Sequence, residues 1–135
     1  MIYPMFAMTL LIFVVGIFNI TWRILSVKNK QVRARYYKTF DSDGAEIPTH
    51  IICGSKNFSN QFEVPVLFYV VSSLVLVLQV GSPAFLALAW LFVFSRVVHS
   101  FIHMSYNHIL HRMLAFLVGV FSVMAMWVML VIKLS

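Results

Sequence analysis

Long runs without any charged residue constrain the fold of this chain more than any other feature. Nothing is charged before Arg23, from residue 64 to residue 95, or from residue 113 to residue 132. A helix needs roughly 20 apolar residues to cross the hydrocarbon core of a bilayer. The whole chain is only 10% charged and 61% hydrophobic, whereas a soluble domain has about 25% charged residues. The sequence therefore predicts an integral membrane protein.

Turn signals divide these runs into four predicted spans. Gly81-Ser82-Pro83 reads as a tight turn, and Ser105 to Arg112 as a short polar connection. The resulting spans lie at about 5–27, 62–80, 84–104 and 113–132. We expect an all-α fold, an up-down four-helix bundle that forms a single domain over residues 1–135.

The polar segment 28–59 separates the first two spans. We expect the first helix to continue through residues 31–38, beyond the bilayer. Asp41-Ser42-Asp43-Gly44 predicts a turn, and Ile47-Pro48 prevents simple helix continuation. In the first span, Gly16, Asn19 and Arg23 form a polar edge that we interpret as a helix-packing surface.

The distribution of positive charge predicts the orientation. Six of the ten Lys and Arg residues lie between Lys28 and Lys56, and cytoplasmic loops carry such an excess. Segment 28–59 and the connection after the third span should therefore be cytoplasmic, with both termini on the opposite side. The net charge of +6 indicates topology and contact with anionic lipids rather than nucleic acid binding. The sole cysteine, Cys53, cannot form an internal disulfide.

A stripe of polar and ionisable residues lies in the last part of the third span and continues into the connection after it. Its members recur at three- and four-residue steps, which places them on one face of a single helix. They are Arg96, His99, Ser100, His103, Asn107 and His111. An ionisable stripe inside a membrane-length helix is costly, and it is therefore a functional-site hypothesis.

Depth counting gives this stripe a partner. If the second and third spans are antiparallel about Ser82, Glu63 lies level with Phe101 and becomes the expected counter-charge of Arg96. One interpretation is a buried network that only fixes helix register. The other is a pocket near the cytoplasmic face for a small ligand with carboxylates and an ammonium group, such as a small peptide. Its entrance would carry additional cations, at Arg33, Arg35 and Arg112.

Other chemistries find less support in the sequence. His99 and His103, with His108 and His111 beyond, could bind a metal, but no carboxylate or cysteine lies between them. We predict no metal. Haem held between helices would need histidines on facing spans, and the pattern does not provide them. A histidine proton shuttle stays open, whereas no nucleotide fingerprint is present.

Three segments, in order, resemble the family of membrane-associated proteins in eicosanoid and glutathione metabolism (MAPEG), in a short bacterial-type form. Residues 31–35 (Gln-Val-Arg-Ala-Arg) resemble the basic end of its first helix. Residues 60–63 (Asn-Gln-Phe-Glu), followed by Pro65, resemble its Asn-x-x-Glu motif. The third-helix signature is matched by Arg96-x-x-His99-Ser100-x-x-His103, with Arg112 further on.

The resemblance implies a homotrimer in a bacterial inner membrane, with glutathione as co-substrate between neighbouring subunits. Residues expected to contact glutathione by position are Arg33, Lys56, Asn60, Glu63, Arg96, His99 and His103. Arg112 would be catalytic, stabilising the glutathione thiolate for attack on an apolar, lipid-like electrophile or hydroperoxide. His103 stands where the family usually has tyrosine, Ser59 where some members have arginine, and Met113 and Phe116 where some have polar residues.

Three functions follow as hypotheses. The first is a glutathione-dependent transferase or peroxidase. The second is a non-catalytic membrane scaffold or small-ligand-binding protein with the same fold. The third is a histidine-based proton or metal carrier.

Overall fold

The computed structural model describes residues 1–42 and 44–135, and every regular element in them is helical. The bounds of these elements are α1 Ile2–Lys28, α2 Tyr36–Thr39, α3 Thr49–Ser59, a 3₁₀ turn Asn60–Phe62, α4 Val64–Val77, α5 Pro83–Met104 and α6 Ile109–Leu134. Among the described residues, four helical segments are long and apolar enough to cross a membrane. They are α1, the combined segment of α3 and α4 (Thr49–Val77), α5, and α6. The predicted all-α membrane bundle with four spans is confirmed.

The first helix ends earlier than predicted, at Lys28 rather than at residue 38. Lys30 has a φ of 56°, which belongs to the left-handed region and stops a right-handed helix. The N–H groups of Gln31 and Val32 then fold back and donate to the Ser26 carbonyl at 2.9 and 3.2 Å. The Tyr37 and Ser26 hydroxyls share a hydrogen bond of 2.7 Å. The segment after α1 therefore returns to α1 instead of extending it.

The second span starts well before the predicted residue 62. Pro48 prevents helix continuation as expected, but α3 begins directly after it at Thr49. A proline at the start of a helix costs no helical hydrogen bond.

Gly54 allows α3 to approach α1, since a Cβ there would lie 2.9 Å from Trp22 Cε3. Glu63, with φ −96° and ψ −99°, separates the 3₁₀ turn from α4. In the predicted turn at 41–44, Gly44 has a φ of 80°, while Asp43 lies outside the described residues.

The connection between α5 and α6 is also shorter than predicted. It covers residues 105–108, so Arg112 belongs to the first turn of α6. Asn107 has a φ of 47°, a left-handed conformation that asparagine tolerates better than most residues. The stripe predicted on one helix therefore breaks after His103, and His111 is exposed on α6, where its Nδ1 lies 3.1 Å from the Tyr106 hydroxyl.

Apolar packing fills one half of the bundle. Phe68 of α4 stacks on Phe92 of α5 with ring centroids 4.5 Å apart, and both side chains are fully buried. At the end of this half, Lys133 Nζ donates to the Val80 carbonyl at 2.8 Å. Large apolar side chains elsewhere face outward, as expected for a lipid-exposed surface. The polar residues are thereby concentrated at the opposite end, where α5 ends and α6 begins.

Candidate functional site

A cavity of about 510 Å³ lies at the polar end of the bundle, within the range of roughly 300–1,000 Å³ that is typical of small-molecule sites. Its lining comes from α1, α3, α5, α6 and the segments after α1 and α3: Arg23, Phe40, Ser55, Lys56, Ser59, Asn60, Glu63, His103 and Arg112. We call this the main cavity. Three of its side chains are cationic at neutral pH and one is a carboxylate, so it favours an anionic ligand that also carries one positive group.

A smaller cavity of about 330 Å³ adjoins the main cavity. The two share Asn60, Glu63 and Arg112. The smaller cavity adds His99 and the apolar side chains of Ile109, Met113 and Phe116. Ile109 and Met113 are exposed on the outside of the chain. This apolar cavity therefore connects Arg112 with the lipid-facing side of α6.

Arg112 is held from three sides. Its Nη1 donates to Asn107 Oδ1 at 2.8 Å and lies 3.4 Å from His103 Nε2. Asn107 Nδ2 in turn donates to Cys53 Sγ at 3.2 Å, which ties the connection to α3. The Arg112 carbonyl lies 3.1 Å from His99 Nδ1. Because a carbonyl only accepts, Nδ1 of His99 carries the proton, and its Nε2 is an acceptor in the neutral ring.

Arg96 lies behind the main cavity and is only 1% exposed. Its Nη2 donates to the Asn60 carbonyl at 2.9 Å, and its guanidinium carbon lies 5.9 Å from the centre of the Phe116 ring. Nε and Nη1 have no hydrogen-bond partner among the described residues. Glu63, the predicted counter-charge, interacts with Arg96 electrostatically, while the Asn60 carbonyl accepts the hydrogen bond from the guanidinium. Glu63 also lines both cavities.

A buried polar network joins α3 and the 3₁₀ turn to α5 beside the main cavity. Gln61 Nε2 donates to Asn57 Oδ1 at 3.2 Å and to Ser100 Oγ at 3.0 Å. Ser100 Oγ donates to Asn57 Oδ1 at 3.2 Å. All three side chains are almost inaccessible to solvent, so these bonds join α3 and the 3₁₀ turn to α5. Sequence analysis missed Asn57, although its i, i+4 spacing from Gln61 was a usable signal.

The structure brings together most of the predicted site residues. Five of them line the main cavity: Lys56, Asn60, Glu63, His103 and Arg112. His99 lines the adjoining one.

Arg33 is located elsewhere. It lines a separate cavity of about 470 Å³, together with Lys30 and Arg35.

The main cavity also contains residues that were not predicted. Arg23 is the most prominent of them, because it is charged and lines the main cavity together with Ser55 and Phe40. The polar edge Gly16–Asn19–Arg23 was visible in the sequence and was interpreted as packing. That interpretation holds for Gly16, since a Cβ there would lie 3.2 Å from Phe58 Cε2, but Arg23 reaches the cavity.

The described part of the chain contains no group of three His, Cys, Asp or Glu side chains close enough to share a metal ion. The rings of His108 and His111 lie on the surface with centroids 4.4 Å apart and a 39° angle between their planes, and neither residue lines the main or the smaller cavity.

Comparison with protein-family models identifies the MAPEG family over residues 1–132. Comparison with curated proteins gives no significant match, and neither does comparison with solved structures. The match covers nearly the whole chain, all four spans and the residues that line both cavities. The protein therefore belongs to the MAPEG family.

Proposed function

We propose that this protein binds glutathione in the main cavity, near the cytoplasmic face, and activates its thiol toward an apolar electrophile or hydroperoxide. Family membership indicates a membrane protein with a glutathione-related function of the transferase or peroxidase type. The observation that carries the finer proposal is the position of Arg112. Its guanidinium lines both cavities and is held by Asn107.

Binding uses the charges of the main cavity. The Glu63 carboxylate receives the ammonium group of glutathione, and Lys56 receives a carboxylate. Asn60 and His103 supply polar contacts at the cavity wall. His99 offers its Nε2, which has no partner among the described residues. Arg96 stabilises this wall through the Asn60 carbonyl and keeps its Nε and Nη1 groups for acceptors that arrive with the ligand.

Arg33 has a different place in this proposal. It does not line the main cavity of its own chain. In a homotrimer, it approaches glutathione from the neighbouring subunit. Cross-linking of the purified protein in detergent, followed by mass measurement, tests the trimer.

The chemistry follows from placing a guanidinium beside a thiol. The positive charge favours the thiolate, which is the nucleophile. In conjugation, the thiolate sulfur attacks an electrophilic carbon and forms a C–S bond while the leaving group departs. In peroxide reduction, the thiolate attacks one oxygen of the hydroperoxide, the O–O bond breaks and an alcohol leaves after protonation. The sulfenic acid formed on glutathione then reacts with the thiol of a second glutathione and gives a disulfide and water. The apolar partner reaches Arg112 through the smaller cavity, past Met113 and Phe116.

Calorimetric titration with glutathione, together with ultraviolet absorbance of the bound thiolate, tests the proposal. We expect the wild-type protein to bind, Glu63→Gln to bind more weakly, and Arg112→Ala to lose the thiolate signal. Arg112→Lys keeps the charge and controls for folding. Absence of binding to the wild type rejects the function, and an unchanged thiolate signal in Arg112→Ala rejects the role of Arg112.

A second candidate, a non-catalytic scaffold, is favoured by the buried network of Asn57, Gln61 and Ser100, which joins helices and does not face the main cavity. This candidate predicts no thermal shift when glutathione is added in detergent. A shift that depends on glutathione concentration excludes it in this form.

A further inference from the structure

We infer that Arg23, near the end of α1, binds one of the two carboxylates of glutathione. This inference rests on the proposed function and deepens it. Arg23 lies in the first span, outside the three motifs that identified the site. It lines the main cavity together with Lys56, Glu63 and Arg112.

The guanidinium of Arg23 is held in place before any ligand arrives. Its Nη2 donates to Ser55 Oγ at 3.1 Å. Its guanidinium carbon lies 5.3 Å from the centre of the Phe40 ring and 5.5 Å from that of Tyr37. Contacts from two separate segments thus fix the side chain, which reduces the conformational entropy that a ligand would otherwise have to remove.

One N–H group of this guanidinium still lacks an acceptor. Nε of Arg23 is shielded from solvent and has no hydrogen-bond partner in the described part of the chain. A carboxylate accepts two parallel hydrogen bonds from a guanidinium edge. Because Nε is closed to solvent, a ligand carboxylate in the main cavity pairs with the Nη1–Nη2 edge of Arg23, whose Nη2 has a second N–H besides the one donated to Ser55.

The charges of the main cavity match those of ionised glutathione one to one. The cavity has three cations, Arg23, Lys56 and Arg112, and one anion, Glu63. Glutathione with an ionised thiol has three anions, which are two carboxylates and the thiolate, and one ammonium group. With Arg112 assigned to the thiolate and Glu63 to the ammonium group, Lys56 and Arg23 each receive one carboxylate. Without Arg23, one carboxylate would lack a cationic partner among the residues that line the main cavity.

The test is calorimetric titration of wild type, Arg23→Gln and the control Lys38→Gln with three ligands. Lys38 is exposed on α2 and does not line the main cavity, so its removal controls for the loss of one basic charge outside the cavity. The ligands are glutathione, its glycyl ester, which lacks the charge of one carboxylate, and γ-aminobutyryl-cysteinyl-glycine, which lacks the other carboxylate. Arg23→Lys, which keeps the charge without the planar fork, is measured in parallel.

For glutathione, we expect Arg23→Gln to weaken binding by roughly tenfold to a hundredfold, with little change in Lys38→Gln. With one analogue, and not the other, wild type and Arg23→Gln should bind equally, because the carboxylate that Arg23 contacts is then missing. If Arg23→Gln does not fold, Arg23→Lys should show the same analogue pattern with a smaller loss.

Equal binding of glutathione by wild type and the Arg23 variants overturns the inference and leaves the proposed function standing. The same weakening with all three ligands also overturns it, because it shows that Arg23 only supports the segment around Tyr37 and Phe40. No binding by the wild type overturns both.

Discussion

A single methyl group at Gly119 should destabilise the bundle, because α5 and α6 pack closely there. A Cβ built on Gly119 would lie 2.7 Å from Ser95 Oγ. Ser95 is only 3% exposed, and its Oγ donates to the Phe92 carbonyl at 2.7 Å. Either the helices separate or Ser95 leaves this hydrogen bond. Overpacking of this kind costs about 1–3 kcal/mol, and we expect Gly119→Ala to lose that much in the free energy of unfolding, measured by thermal or denaturant unfolding in detergent.

The clash involves one oxygen atom, which makes it possible to relieve it. Ser95→Ala removes that oxygen, so the double variant Gly119→Ala/Ser95→Ala should be nearly as stable as Ser95→Ala alone. A coupling free energy of at least about 1 kcal/mol is expected between the two sites. Gly81→Ala is the matched control, since its Cβ would lie 3.9 Å from the nearest atom, Val75 Cγ1. Additive effects, or equal stability of Gly119→Ala and Gly81→Ala, would refute the reasoning.

Two further predictions concern neighbouring contacts. Asn107→Ala removes the 2.8 Å hydrogen bond to Arg112 and should lower the thiolate absorbance of bound glutathione. Asn107→Gly relieves the positive φ but also lacks the side chain, so it should lower the absorbance equally. Recovery of the absorbance in the glycine variant would show that backbone strain, and not the side chain, matters. Gly54→Ala places a methyl group 2.9 Å from Trp22 Cε3 and should lower the free energy of unfolding by about 1–3 kcal/mol, measured by denaturant titration in detergent; an unchanged value would mean that Trp22 moves freely at this contact.

The four spans were predictable because they depend on composition over long windows. A charge-free run as long as residues 64–95 is unfavourable in water whatever local contacts it makes, so the assignment of a span does not depend on those contacts. The ends of the helices were less predictable, because tertiary contacts decide them. Residues 31–38 have no helix-breaking residue, yet the hydrogen bond between Tyr37 and Ser26 and the left-handed Lys30 turn the chain back. Neither this hydrogen bond nor the left-handed backbone at Lys30 leaves a periodic signal in the sequence.

The site was predictable as a group of residues but not as a set of hydrogen bonds. Glu63, Asn60 and His103 converge on one cavity, as their spacing and depth suggested. Glu63 interacts with Arg96 electrostatically, as depth counting predicted. Depth counting did not predict which group bonds to the guanidinium, because it treats residues 62–80 as one regular helix. Glu63 has a non-helical backbone conformation, which changes the direction of its side chain from that of the α4 surface. Asn60, one turn earlier, presents its carbonyl to Arg96 instead.

The proposed reaction requires that a charged substrate and an apolar substrate meet at one guanidinium. The positions at which the helices end place Arg112 where both can reach it. In this proposal, glutathione approaches Arg112 from the charged main cavity, and an apolar substrate approaches it past Ile109 and Met113, which line the smaller cavity. Arg112 stands between the two routes because the connection before α6 is only residues 105–108, which places Arg112 in the first helical turn beside His103. A longer connection would move the guanidinium away from one route or the other. The reactive geometry therefore depends on where α5 ends and α6 begins, and the apolar spans set the depth at which this happens.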